Sequence, residues 1–259
     1  MLPPLFYYDL GMGDPLMLVH GSFSTGEATW SAQMRTLAAY HRLLVVDRRG
    51  HGASPREPRP YTICSDAQDI LSAADLAGAA EFHLAGHSYG GLVAIEVARQ
   101  APQRVRSLHL IEPPYLALLP DDPDVRELNR CGRLIFAQAG CREPEQTAAA
   151  FFEMLLGPAG LAALRARRAW PAIVAEAERA AYEEFAGEYP AGALAVLERT
   201  GPVQIYTGGR SHPGLRALAR RLAELIPGAR LLEVPDADHA VQRWSEPFDA
   251  ALLAVTRDA

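Results

Sequence analysis

The sequence predicts an α/β fold: a mostly parallel, doubly wound sheet with helices on both faces and one inserted helical cap. Three observations point to it. Apolar runs of strand length at 16–19, 43–46, 82–85, 105–111, 203–206 and 231–234 alternate with helix-periodic segments, the pattern of a buried parallel sheet. A glycine-flanked turn at 86–90 joins one of these runs directly to a helical pattern. Between 115 and 199 the rhythm stops, because Ala, Leu, Arg and Glu dominate and no strand-like run occurs.

Taken in order, a first strand near 5–8 is expected to be antiparallel and at the sheet edge. Helical periodicity covers 26–40, 64–78, 88–101, 213–225 and 239 onward. In the third of these, Leu92, Ile95 and Ala98 form the inward stripe, with Glu96 and Arg99 outward. Pro113 and Pro114 block continuation of the strand before them, and Gly201 and Pro202 mark the return to the sheet. The chain therefore divides into a core of 1–114 and 200–259 and a cap of 115–199. Within the cap, Phe136, Phe151, Phe152, Met154, Leu155, Trp170, Tyr182 and Phe185 mostly pack helices together, leaving a minority for a ligand. The Arg165–Arg168 segment reads as a solvated helix face.

At 259 residues with 49% hydrophobic content, the chain is long enough for one large core plus an insertion. A net charge of -6 with interspersed signs offers no basic surface for nucleic acid or membrane, which leaves a small molecule as the expected partner. No run of eighteen apolar residues occurs, and the N-terminus lacks the pattern of an export signal, so a cytoplasmic location is expected. Cys64, Cys131 and Cys141 are odd in number and scattered, as expected of reduced thiols. No metal-ligand spacing occurs, and neither metal nor cofactor is expected.

The chemistry concentrates at three turns. Gly86-His87-Ser88-Tyr89-Gly90 is a G-x-S-x-G elbow, in which a strand turns into a helix over one residue. Cβ atoms two positions either side of Ser88 would collide, and glycine avoids this. Ser88 is thus the candidate nucleophile, beside the unpaired N–H groups of a helix start. The second turn, His20-Gly21-Ser22-Phe23, offers the N–H of Ser22, or of Phe23, to the same oxygen as the N–H of Tyr89. The third, Asp236-Ala237-Asp238-His239, places His239 at the same sheet edge as Ser88, as a base able to titrate near neutrality. His20 and His87 read as local structural residues, and His83 and His109 lie in strands.

Leu18 to Gly21, Val46 to Ser54, Gly86 to Gly91 and Asp238-His239 occur in an order that resembles the α/β-hydrolase superfamily, in particular its serine esterases and cofactor-free haloperoxidases. The resemblance covers the core and not the cap, and it implies that Asp47 to Ser54 braces the oxyanion turn. One departure stands out. Relatives usually carry an aspartate after the strand equivalent to 203–206, and here that loop, Thr207 to Pro213, has no carboxylate. Because some members place their acid one strand earlier, the resemblance implies Glu112 as the partner of His239. Alternatives are Asp236 or Asp238, a Glu112 that pairs with Arg210, or no acid at all. The expected activity is hydrolysis of a small to medium hydrophobic carboxylic ester, lactone or thioester through an acyl-enzyme. Carbon–carbon hydrolysis, lyase or perhydrolase chemistry on the same residues, and ligand binding with little turnover, are the alternatives.

Overall fold

A computed structural model describes residues 4–56, 60–190, 192, 194, 197 and 200–257. The expected cap boundary at 199 and the chain ends at 1–3 and 258–259 lie outside the described residues. The strands are β1 (Tyr7–Leu10), β2 (Pro15–Val19), β3 (Arg42–Val46), β4 (Phe82–His87), β5 (Val105–Ile111), β6 (Val203–Gly208) and β7 (Arg230–Val234). They form one sheet in the order β1-β3-β2-β4-β5-β6-β7. Only β1 is antiparallel, pairing Tyr7 with Val46 at the edge; it begins two residues later than the apolar run suggested.

The helices are α1 (Gly26–Thr36), α2 (Ile63–Leu76), α3 (Tyr89–Gln100), α4 (Pro123–Gln138), α5 (Pro144–Arg165), α6 (Trp170–Ala177), α7 (Pro213–Leu225) and α8 (Ser245–Arg257). Side chains alternate across the sheet, which is why the strands read as continuous apolar runs. Met17, Val19, Leu44 and Leu84 pack on one face with Ile70 of α2, Leu92 of α3 and Leu222 of α7. Leu16, Leu18, Val45 and Tyr206 pack on the other with Trp30 of α1 and Phe248 of α8. The N-terminus of α2 is fixed by a capping box, in which Thr62 accepts from the Ser65 N–H and Ser65 accepts from the Thr62 N–H.

Two expectations change. Glu96 on α3 is buried, not outward, because Tyr189 reaches over from the insertion and donates to its carboxylate at 2.9 Å, alongside Arg99. The last helix begins at Ser245, since Pro235 to Trp244 is loop and one 3-10 turn. By length and composition α5 is apolar enough to cross a membrane, although polar residues interrupt any run of eighteen, as expected from the sequence. It is bent at Gly157, which has φ 69°, followed by Pro158. Between β5 and β6 the described residues hold α4, α5 and α6 and no strand. Phe136, Phe151, Phe152 and Trp170 there form one cluster around Phe23 of the core. Arg165 pairs with Glu145 in solvent and lies over Trp170. The three cysteines are free.

Candidate active site

The chain moves outward from β2 to β3, then returns to the other side of β2 with β4. At such a reversal the loops leaving neighbouring strands diverge and open a crevice at their carboxyl ends. Here the two loops are those of His20-Gly21-Ser22 and of Ser88. They lie so close that a Cβ on Gly21 would sit 2.9 Å from the Ser88 Cβ. Ser88 itself has φ 55° and ψ -123°, the strained elbow conformation. A Cβ at Gly86 would meet the Gly90 carbonyl at 2.2 Å, and one at Gly90 would meet the His20 carbonyl at 2.5 Å. Ser88 donates its N–H to the Ile111 carbonyl at 2.8 Å, tying the elbow to β5.

One residue beyond the end of β5, Glu112 is fully buried and has φ 43°. Its Oε1 accepts from the Thr207 hydroxyl at 2.7 Å and the Gly208 N–H at 2.8 Å, and its Oε2 lies 2.7 Å from His239 Nδ1. Burial alone would raise this carboxyl, but the hydrogen bond and charge of His239, with the hydrogen bond from Thr207, outweigh it and hold the group below the usual range. An ionised Glu112 accepts only, so His239 carries its proton on Nδ1 and leaves Nε2 as the basic nitrogen. The competing partners are engaged elsewhere, Asp236 with Arg210 at 2.6 Å and Asp238 with the Ala240 N–H at 3.0 Å. His87, next to Ser88, sits 2.9 Å by Nε2 from the His239 carbonyl, and the two rings are 4.8 Å apart. This links the turn of Ser88 to the loop of His239.

Behind the turn at His20 lies a buried charge cluster. Arg48 donates to the His20 carbonyl at 3.1 Å and the Gly21 carbonyl at 3.3 Å, and lies 4.5 Å above the Tyr89 ring. It also pairs with Asp66 of α2 at 2.7 Å and with Glu183, which lies in the chain after α6, at 2.5 Å. His51 joins through Glu183 at 3.5 Å and adds Glu176 at 3.0 Å on its other nitrogen. His20 accepts the Arg48 N–H through Nε2 and donates through Nδ1 to the Gly21 carbonyl, so it is a neutral structural residue. Burial and the neighbouring Arg48 both push it well below its ordinary pKa. One guanidinium shared by two carboxylates stabilises them unequally. Burial pushes Asp66 up to about 6 against the pull of Arg48, whereas Arg48, His51 and Ser22 hold Glu183 down to about 2 despite its burial.

Ser22, Ser88, Tyr89 and His239 all line a recess of about 50 Å³. Ser22, Ser88 and His239 also open on a cavity of about 880 Å³, whose walls include Phe23, Phe151, Phe152, Leu164 and Ile173. The structure thus places Ser22, Ser88, Tyr89 and His239 on one recess, with Glu112 against His239. It adds Glu183, and Thr207 and Gly208 as donors to Glu112, through long-range contacts that left no local pattern, while Arg48 lies in the 47–54 segment expected to brace this turn. Among the described residues no group of three or more His, Cys, Asp or Glu is placed to hold a metal.

A family model described as the alpha/beta hydrolase fold matches residues 14–246. The chain belongs to the α/β-hydrolase family. A protein of Azorhizobium caulinodans, provisionally named carbamate hydrolase RutD, is 39% identical over 106 residues, 40% of this chain and 40% of that protein, so the match spans well under half of its length. The Variovorax paradoxus protein of the same provisional name is 28% identical over 255 residues, 92% of this chain and 90% of its own. The α/β-hydrolase structure of carboxylesterase CesB from Bacillus subtilis superposes with a TM-score of 0.76 at 19% identity, covering 100% of this chain and 93% of that one; the likeness is one of fold.

Proposed function

We propose that this α/β-hydrolase is a serine hydrolase of small to medium hydrophobic carboxylic esters, lactones or thioesters, acting through an acyl-enzyme with the helical insertion as a cap. The observation that carries this reading is the 2.7 Å contact between buried Glu112 and His239 Nδ1, in a loop that shares one recess with Ser88. Such a contact fixes the imidazole in the tautomer that can accept a proton from a serine.

In the proposed reaction Ser88 Oγ attacks the carbonyl carbon while its proton passes to His239 Nε2. The carbonyl oxygen becomes an oxyanion that accepts from the N–H groups of Ser22 and Tyr89, neither of which has a hydrogen-bond partner among the described residues. His239 then gives its proton to the departing alkoxide or thiolate, leaving an ester on Ser88. Water loses a proton to His239, attacks that ester, and the carboxylic acid leaves as Ser88 regains its hydrogen.

The cavity favours a substrate with an apolar body. At about 880 Å³ it lies in the range of sites for drug-sized ligands, far larger than a minimal carbamate would fill. The names of the RutD-like relatives keep a carbamate in the test panel, where it is expected to react more slowly than a hydrophobic ester. Fluorophosphonate labelling tests the reading directly. Modification of Ser88, identified by peptide mass, together with loss of p-nitrophenyl butyrate turnover in Ser88→Ala, is expected. A folded protein that neither labels nor turns over any ester, lactone or thioester would be a binding protein instead.

A further inference from the structure

The turn that carries Ser22 is poorly supported by its own backbone. Phe23 has φ 57°, a conformation that costs a non-glycine residue about 1–3 kcal/mol and persists only where neighbours impose it. The core supplies one restraint from behind, the grip of Arg48 on the carbonyls of His20 and Gly21. The other comes from the side. Ser22 Oγ donates a short hydrogen bond to Glu183 Oε1, while Glu183 Oε2 receives Arg48.

We propose that Glu183 is a positioning residue for the oxyanion site: this carboxylate of the cap clamps Ser22 and Arg48 together, so that the cap takes part in catalysis as well as in choosing substrate. The proposal rests on the serine hydrolase reading. Glu183 is itself held in register by backbone bonds on both sides of it. Tyr61 donates its N–H to the Tyr182 carbonyl at 2.6 Å, Glu184 donates its N–H to the Tyr61 carbonyl at 2.8 Å, and the Glu184 carboxylate accepts from the Ile63 N–H at 2.8 Å. The cap segment therefore docks as a short bridge against the start of α2, with Glu183 turned inward.

Its side chain is 2% exposed and that of Arg48 1%. A carboxylate whose task was only to dock the cap would need Arg48 alone. The bond to Ser22 reaches one residue further, to the group whose N–H is offered to the oxyanion. Because the Ser22 hydroxyl donates to Glu183, its hydrogen is committed there and the backbone N–H remains as the donor toward substrate. Glu183 is held down to about 2, so the clamp stays ionised across the neutral range. Catalytic donors must lie within a few tenths of an ångström of where charge develops, so a loosened turn weakens a transition-state contact more than a ground-state one.

The test compares wild type with Ser22→Ala, Glu183→Gln and the double variant. The measurements are kcat and KM for p-nitrophenyl butyrate, the second-order rate of Ser88 phosphonylation by a fluorophosphonate, and Tm. Removing a whole oxyanion donor costs about 100-fold to 1,000-fold, and misplacing one is expected to cost about tenfold. Ser22→Ala should therefore lower kcat and the labelling rate about tenfold with KM within twofold. Glu183→Gln should do at least as much, and the double variant should be no slower than Glu183→Gln, since both cut one link. Wild-type kcat and labelling rate in Ser22→Ala overturn the proposal, even if Glu183→Gln fails to fold. A Glu183→Gln variant that changes only Tm or KM does the same. If wild type itself does not label, the serine hydrolase reading fails first and this inference falls with it.

Discussion

Replacing Glu112 by glutamine is the sharpest probe of the site, because the structure dictates how the new amide must sit. Oε1 accepts from Thr207 and from the Gly208 N–H, and a backbone N–H cannot accept in return. The amide oxygen is therefore fixed on that side, and the NH2 group is turned toward His239 Nδ1, where Oε2 now accepts across 2.7 Å. Facing a donor, the imidazole moves its proton from Nδ1 to Nε2. In the proposed reaction Nε2 then cannot accept the proton of Ser88, and the imidazolium loses its neighbouring charge.

The same exchange in a serine protease triad costs about 10⁴-fold in kcat, or roughly 5 kcal/mol of barrier. We expect Glu112→Gln to fall by about 10³-fold to 10⁴-fold in kcat on p-nitrophenyl butyrate. The fold should persist, because the bonds from Thr207 and Gly208 remain and the one with His239 is reversed, not lost. The assay is steady-state hydrolysis alongside circular dichroism and a thermal melt. A folded Glu112→Gln enzyme with wild-type kcat would refute the argument, and would return the acid role to Asp236 or Asp238.

Three further outcomes follow from the same contacts. Gly90→Ala puts a methyl 2.5 Å from the carbonyls of Val19 and His20, backbone atoms that cannot yield cheaply, so a loss of about 3 kcal/mol or more in urea unfolding is expected, with activity falling too; an unchanged midpoint would contradict it. Burial lowers the pKa of His83 to about 4 and of His109 to about 3, while in the unfolded chain both titrate near 6.5. The unfolded state thus binds more protons, so stability is full above about pH 6.5 and falls as pH drops toward 4. About 3 kcal/mol is expected from His83 by pH 4, and replacing both histidines by glutamine should flatten that limb of the urea midpoint against pH. Ala172→Trp, in the cavity wall, should lower kcat/KM for an octanoate ester at least tenfold relative to an acetate; equal loss on both would show that the cavity does not hold the acyl chain.

The parts of the site that were readable in the sequence are those with a local cause. Gly86 betrays the elbow because the clash it avoids, with the Gly90 carbonyl, lies within five residues, whereas Gly90 is required by the distant carbonyls of Val19 and His20; parallel strands bring the loop of His239 to the same edge. Glu112 was reachable only through the empty loop after β6 and a family resemblance. Its actual support, the Gly208 N–H and the Thr207 hydroxyl, comes from the last two residues of β6, beyond where the apolar run ended. Glu183 left no trace, being 135 residues from Arg48 within a segment whose periodicity is only that of packed helices. The inward turn of Glu96 was hidden for the same reason, because Tyr189 is brought over it by tertiary folding.

The last strand gives these arrangements a consequence for how activity is lost. β7 is the outermost strand on its side, and Arg230, Leu231 and Glu233 along it are exposed, yet the stretch it releases delivers the only base in the proposed reaction. Detaching one marginal ribbon from the rim removes that imidazole while six strands stay paired. Catalysis should therefore vanish in mild denaturant before the far-ultraviolet signal moves, and a chain still emerging from the ribosome carries an inert serine until its final strand has docked.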